Sequence, residues 1–64
     1  MKGIWKPTSQ VIDKIRHYRA MRQINTDEPL HGGNVEYCGN YTTERAAVIK
    51  LCEYLNMAPD EERV

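Results

Sequence analysis

The side chains that could do chemistry are few and far apart: His17, His31, Cys38 and Cys52, with the adjacent acids Asp27-Glu28 and Asp60-Glu61-Glu62. A structural zinc site takes four Cys or His ligands in close sequence pairs, and neither a Cys-x-x-Cys nor a His-x-x-x-His spacing occurs. A cysteine nucleophile needs a base within reach and a third group that orients the base. His31 precedes Cys38, but no acid or amide is spaced to orient it. Adjacent carboxylates on a loop and a tail serve solvation and solubility rather than acid-base work. Gly32-Gly33 lacks the Lys-Ser/Thr that completes a phosphate loop, and reads as a turn. The sequence points away from an enzyme, and no metal or cofactor is expected.

The elements that would position these residues must fit into 64 residues, at most one domain. Domains this short bury only about 60% of the surface that their unfolded chains expose. Leu, Ile and Val total twelve and Phe is absent. The core is therefore thin, and a partner or a second copy would add stability. No apolar run approaches the about 18 residues that span a bilayer, and 1–8 lacks the apolar stretch of a signal peptide. The expectation is a cytoplasmic protein with Cys38 and Cys52 as free thiols, a disulfide between the two being the alternative.

Three segments follow an N-terminal arm, 1–7. Over 9–23 the spacing predicts a helix: Pro7, Thr8 and Ser9 supply a start signal, Asp13 suits an early turn, and Val11, Ile12, Ile15 and Tyr18 form a stripe at 100° per residue. The segment 24–41 is irregular, broken by Pro29, Gly32, Gly33 and Gly39. Within it Val35 and Tyr37 alternate with Glu36 and Cys38, predicting a short strand that Gly32-Gly33-Asn34 turns back on Pro29, Leu30 and His31 as a small hairpin. Over 43–56 a second helix is expected, capped by Thr42 or Thr43, with Ala47, Val48, Leu51, Cys52, Tyr54 and Leu55 on one broad face. An acidic tail, 58–64, follows. The fold expected is α+β: a small single domain in which two amphipathic helices flank a short strand or β-hairpin.

Zero net charge hides an asymmetry. Residues 1–23 carry Lys2, Lys6, Lys14, Arg16, Arg19 and Arg22 against Asp13, a balance of +5, and 24–64 carry a balance of −5. The halves can neutralise one another within the fold or across a homodimer, or the basic half can face an acidic partner. As a helix, the basic segment would spread its charges around the axis, which argues against a dedicated nucleic-acid-reading surface. A phosphate-following surface would combine Lys2, Lys6, Arg19 and Arg22.

Ile15-Arg16-His17-Tyr18-Arg19-Ala20-Met21-Arg22 resembles the first helix of repressor-type helix-turn-helix domains, and 48–60 is similar to their closing helix. That family places its turn and recognition helix between the two, where this chain has Pro29, Gly32, Gly33 and a strand pattern. No base-contacting residue carries over, and no family is assigned.

Trp5, Tyr18, Tyr37, Tyr41 and Tyr54 offer a different chemistry, because aromatic side chains anchor protein interfaces. Tyr18 and Tyr54 are expected inside, on the helix stripes. Trp5 is expected to be partly exposed, an anchor ringed by Lys2 and Lys6 that suits an acidic groove on a protein. The sequence thus predicts a non-enzymatic binding protein that docks on a larger protein as an accessory or inhibitory factor, of the kind phages or mobile elements encode. Trp5, Lys2, Lys6, Arg19, Arg22 and Tyr41 are the candidate contact residues. The alternative is a small nucleic-acid-binding regulator using the basic half. No membrane partner is expected.

Overall fold

Alternation, not helical periodicity, organises the first half of the chain. Val11, Ile12, Ile15 and Tyr18 fit a helical stripe, but branching at Cβ and aromatic rings also favour the pleated surface of a sheet. Strand β1, Lys6–Ile12, turns directly into β2, Ile15–Gln23, and the two pair antiparallel from Lys6↔Met21 to Ile12↔Ile15. Asp13 and Lys14 make the turn with φ of 51° and 68°. Two consecutive left-handed residues define the type I′ hairpin turn, whose twist matches that of the flanking strands. Asp accepts this conformation readily, whereas Lys bears its steric cost. The helix expected over 9–23 is therefore replaced by a β-hairpin, and Asp13 marks its tip rather than a helix start.

The computed structural model describes residues 1–57; the expected acidic tail, 58–64, lies outside the described residues. Beyond β2 the chain runs through a loop to a 3-10 turn, Gly32–Asn34, and into β3, Val35–Thr42. The strand at Val35 and Tyr37 forms as the alternation predicts, but its partner is β2, not Pro29 to His31. The sheet is antiparallel with order β1-β2-β3. A single α-helix, α1, Arg45–Met57, follows. The protein is α+β, but with one helix packed on a three-stranded sheet instead of two helices flanking a hairpin. Each strand is too short to bury a core by itself, so the sheet closes its apolar side against the one segment with a continuous apolar stripe.

That stripe is Val48, Cys52 and Leu55, all buried, with Leu51 half-buried beside them. The sheet contributes Ala20, fully buried at the centre of β2, with Tyr18 and Cys38 packed around it and Trp5 closing one end. A methyl side chain at Ala20 lets the helix approach the central strand closely, and each larger apolar side chain buried there contributes about 1.5–3 kcal/mol. Thr42 Oγ1 accepts from the Glu44 N–H at 3.2 Å in the turn ahead of the helix, but the first helical bond, Ala47 N–H to the Glu44 carbonyl at 3.1 Å, starts from Glu44 rather than from the expected cap at Thr42 or Thr43. Tyr54 is 63% exposed. The face that α1 buries is narrower than the apolar stripe, and the expectation of an internal Tyr54 is corrected.

Two asparagines fix the connections. Asn34, only 3% exposed, accepts from the Asn25 N–H at 2.8 Å and donates to Asn25 O at 2.9 Å and Pro29 O at 3.1 Å. Its side chain replaces the backbone pairing that the irregular loop lacks. Asn56 accepts from the Trp5 N–H at 2.7 Å and donates to the Trp5 carbonyl at 2.9 Å. The last turn of the helix thereby completes the start of the first strand.

Candidate functional site

Neighbours across an antiparallel ladder share a face, so the register sorts the side chains. Tyr18, Ala20 and Arg22 point to the helix, as do Glu36, Cys38 and Thr42 paired with or beside them. The opposite side of the sheet has no element over it among the described residues. On β1 this open side carries Lys6, Thr8 and Gln10; on β2, His17, Arg19 and Met21; on β3, Tyr37 and Tyr41.

Arg19 is the centre of that surface. Its guanidinium carbon lies 3.8 Å from the Tyr37 ring centroid and 4.1 Å from that of Tyr41, and Nη2 donates to the Tyr41 hydroxyl at 3.1 Å. A strand irregularity makes this sandwich. Between Tyr18↔Thr42 and Ala20↔Cys38, one residue of β2 faces three of β3. The longer span starts at Gly39, with φ of 83°, a backbone state that only glycine adopts without strain. Such a bulge bends its strand and re-aims the side chains around it. Alternation already sets Tyr41 on the side of Tyr37, and the two extra residues carry it along the strand to Arg19, so that the arginine lies between the two rings. A planar guanidinium on aromatic faces gains about 0.5–2 kcal/mol per contact, more as water is excluded.

The six candidate residues divide into two groups. Lys6, Arg19 and Tyr41 lie on the open side. Trp5, Arg22 and Lys2 belong to the far end of the core: Trp5 is 6% exposed, the Arg22 guanidinium lies 4.6 Å from its ring centroid, and Glu36 meets Arg22 at 3.3 Å and Lys2 at 3.9 Å. The partly exposed Trp5 anchor is corrected. Asn56 holds the Trp5 backbone while Arg22 covers its ring, so the indole packs inward. A buried arginine requires a carboxylate, and Glu36 provides it from the acidic half, so part of the charge asymmetry is neutralised internally. Lys6, Lys14, Arg16 and Arg19 form no ion pair among the described residues.

No carboxylate among the described residues occupies a strand position of the open side. Glu36 faces the helix, Asp13 sits in the hairpin turn, Asp27 and Glu28 in the loop, Glu44 before α1 and Glu53 on it. The face is thus basic, aromatic and partly apolar, with Tyr37 46% exposed beside Arg19. Tyr37 was not among the candidates, although the period-two spacing of Val35, Tyr37, Gly39 and Tyr41 is the signal that finds it.

The other reactive side chains are employed in structure. His31 Nδ1 accepts from the Gly33 N–H at 3.1 Å, capping the 3-10 turn. Cys38 and Cys52 are free thiols against the core. Burial, and secondarily Cys38, push the Cys52 thiol above its ordinary value, which keeps it protonated and a poor nucleophile. Among the described residues no three His, Cys, Asp or Glu side chains gather as a metal site requires, and no helix is long and apolar enough to cross a membrane. No family model, curated protein or solved structure matches the chain.

Proposed function

We propose that the chain is a non-enzymatic binding protein that docks on a larger protein in the cytoplasm, as an accessory or inhibitory factor, through the open side of its sheet. The observation that carries this reading is the Tyr37–Arg19–Tyr41 sandwich at the centre of an uncovered face. Tyr and Arg are the residues that supply most of the energy in protein interfaces, above all where they are held rigid before contact. Arg19 is already fixed between two rings and bonded to one of them, so little side-chain freedom remains to be lost on binding. The site differs from the one expected at Trp5, but the chemistry is the same, an aromatic anchor set among positive charges.

The test is affinity capture from a nuclease-treated lysate of the source organism, with Tyr37→Ala and Tyr54→Ala variants in parallel. Both remove an exposed ring, one from the open face and one from the outer side of α1. The reading expects the partner to be lost with Tyr37→Ala and kept with Tyr54→Ala. Equal recovery with both variants refutes it.

A second reading, a nucleic-acid-binding regulator, draws support from the absence of carboxylates from the strand positions of the same face among the described residues. It predicts retardation of random duplex DNA in low salt, lost with a slope of several ions as salt rises.

A further inference from the structure

We propose that the open side of the sheet takes an extended acidic segment of the partner protein, laid across the strands with a carboxylate against the Arg19 guanidinium. This rests on the docking reading and names the chemistry of its ligand.

Charge complementarity sets the sign. Lys6 and Arg19 are without a carboxylate partner on the face, and the only side-chain hydrogen bond of Arg19 among the described residues goes to Tyr41 Oη. The Arg19 Nε–H is buried without an acceptor, so the terminal Nη N–H groups are the ones left to meet a carboxylate, and the flanking tyrosines hold the guanidinium plane fixed.

Area sets the size. Three strands about 4.8 Å apart, each seven to nine residues long at about 3.3 Å per residue, present roughly 400 Å². A standard protein interface takes about 800 Å² from each partner. The face therefore suits one extended segment better than a second globular surface.

The sheet edges set the mode. The two-residue turn makes Ile12↔Ile15 a hydrogen-bonded pair, so the peptides of Val11, Ser9, Pro7 and Trp5 face outward from β1. Trp5 is already bonded to Asn56, and Pro7 has no N–H to offer. On the other edge, β3 is broken by its bulge. Neither edge is a clean template for an added strand, which leaves the face.

Other occupants fit less well. Two copies meeting face to face about a two-fold axis would bring together two basic surfaces with no carboxylate on a strand position among the described residues, a like-charge pairing. A duplex-binding protein that makes about 6–10 phosphate contacts needs as many cations, whereas this face brings Lys6 and Arg19 alone, of which Arg19 is held by its neighbours.

The experiment titrates the isotopically labelled full chain with a short peptide alternating Glu and Val, its Gln and Lys counterparts, and a random DNA duplex. Amide shifts and the anisotropy of labelled probes are followed. The proposal expects the Glu peptide to shift β2 and β3 amides around Arg19 and Tyr37, and the Gln peptide to bind at least about tenfold more weakly. Arg19→Gln is expected to lose about tenfold for the Glu peptide, whereas Arg16→Gln, at an exposed position bonded to Ser9, changes little. Amide spectra of each variant separate lost binding from lost folding. Equal binding of the Glu and Gln peptides, no binding of the Glu peptide, self-association through the face, or duplex shifting the same residues instead overturns the proposal. If a captured partner is lost with Tyr37→Ala while the Glu peptide fails to bind, docking through this face stands and its acidic specificity falls.

Discussion

Asn56 and Trp5, 51 residues apart in sequence, are joined by two hydrogen bonds in which a side-chain amide takes the place of a neighbouring strand. The amide both accepts from and donates to one peptide unit, so the outward edge of the chain entering β1 is closed by the helix that covers the core. Trp5 is thereby tied to the fold at its backbone, while Arg22 lies over its ring.

Asn56→Ala removes both bonds and leaves part-buried backbone groups unpaired, so it is expected to destabilise the fold by about 1–3 kcal/mol. Asn56→Asp keeps the acceptor but sets a carboxylate oxygen against the Trp5 carbonyl, and is expected to be no more stable than the Ala variant at neutral pH. Urea midpoints at constant slope check both. Because the substitution also reopens an edge, the sedimentation of Asn56→Ala is expected to depend more steeply on concentration than that of the native chain.

Lys14 holds a left-handed backbone conformation at φ 68°. Asp-Gly is a preferred type I′ pair, and an L-residue in this region bears about 1–2 kcal/mol that glycine does not. Part of that gain is offset by the greater freedom of glycine in the unfolded chain. Lys14→Gly is expected to raise stability by about 0.5–1 kcal/mol, read as a higher melting temperature. A destabilised Lys14→Gly would contradict the hairpin.

Asn34 joins Asn25 and Pro29 from a buried position. Asn34→Ala strands the Asn25 N–H and two carbonyls inside the loop, at an expected cost of about 2–3 kcal/mol. Asn34→Asp keeps the acceptor for Asn25 N–H but turns a donor into an oxygen facing carbonyls, and is expected to be at least as harmful. Chemical denaturation of the two variants decides the matter.

The Cys52 thiol is pushed up by burial first and by Cys38 second. The folded state then holds its proton more tightly than the unfolded state does. The associated stability is fully present below the ordinary thiol range and falls as pH rises through that range toward the raised folded value. Iodoacetamide is accordingly expected to leave Cys52 unmodified in the native protein at neutral pH and to modify it once urea unfolds the chain, as peptide mass mapping reads directly. A Cys52→Ala variant is expected to lose less stability than the native chain over the same alkaline interval.

The sequence made the second half of the fold legible for a physical reason. Over Arg45–Met57 only helical spacing aligns Val48, Leu51, Cys52 and Leu55, and Val35 with Tyr37 alternates only as a strand does. Over the first half, Val11, Ile12, Ile15 and Tyr18 satisfy a helical stripe as well as strand propensity, and the Asp13-Lys14 turn lacks the glycine that would announce a hairpin. Tertiary context decides there: helix α1 needs a sheet to cover, and Ala20 offers it close approach.

The candidate site followed the same division. Arg19 and Tyr41 were legible as a basic and an aromatic residue suited to contact, but their meeting depends on the Gly39 bulge, which pattern alone does not locate. Trp5 was misplaced because the group that fixes it, Asn56, lies at the opposite end of the sequence. Once the strands are in place, Arg22 and Arg19, which a helix would have left near one stripe, point to opposite sides of the sheet, one into an ion pair and one toward solvent.

Hydroxyl-radical footprinting of the chain, alone and with its captured partner, reads side chains face by face. Docking through the open side predicts that Met21 and Tyr37 become protected from oxidation while Tyr54 and Met57, on the helix, react as in the free protein. Protection of Tyr54 and Met57 with Met21 and Tyr37 unchanged would place the interface on the helix and contradict the account.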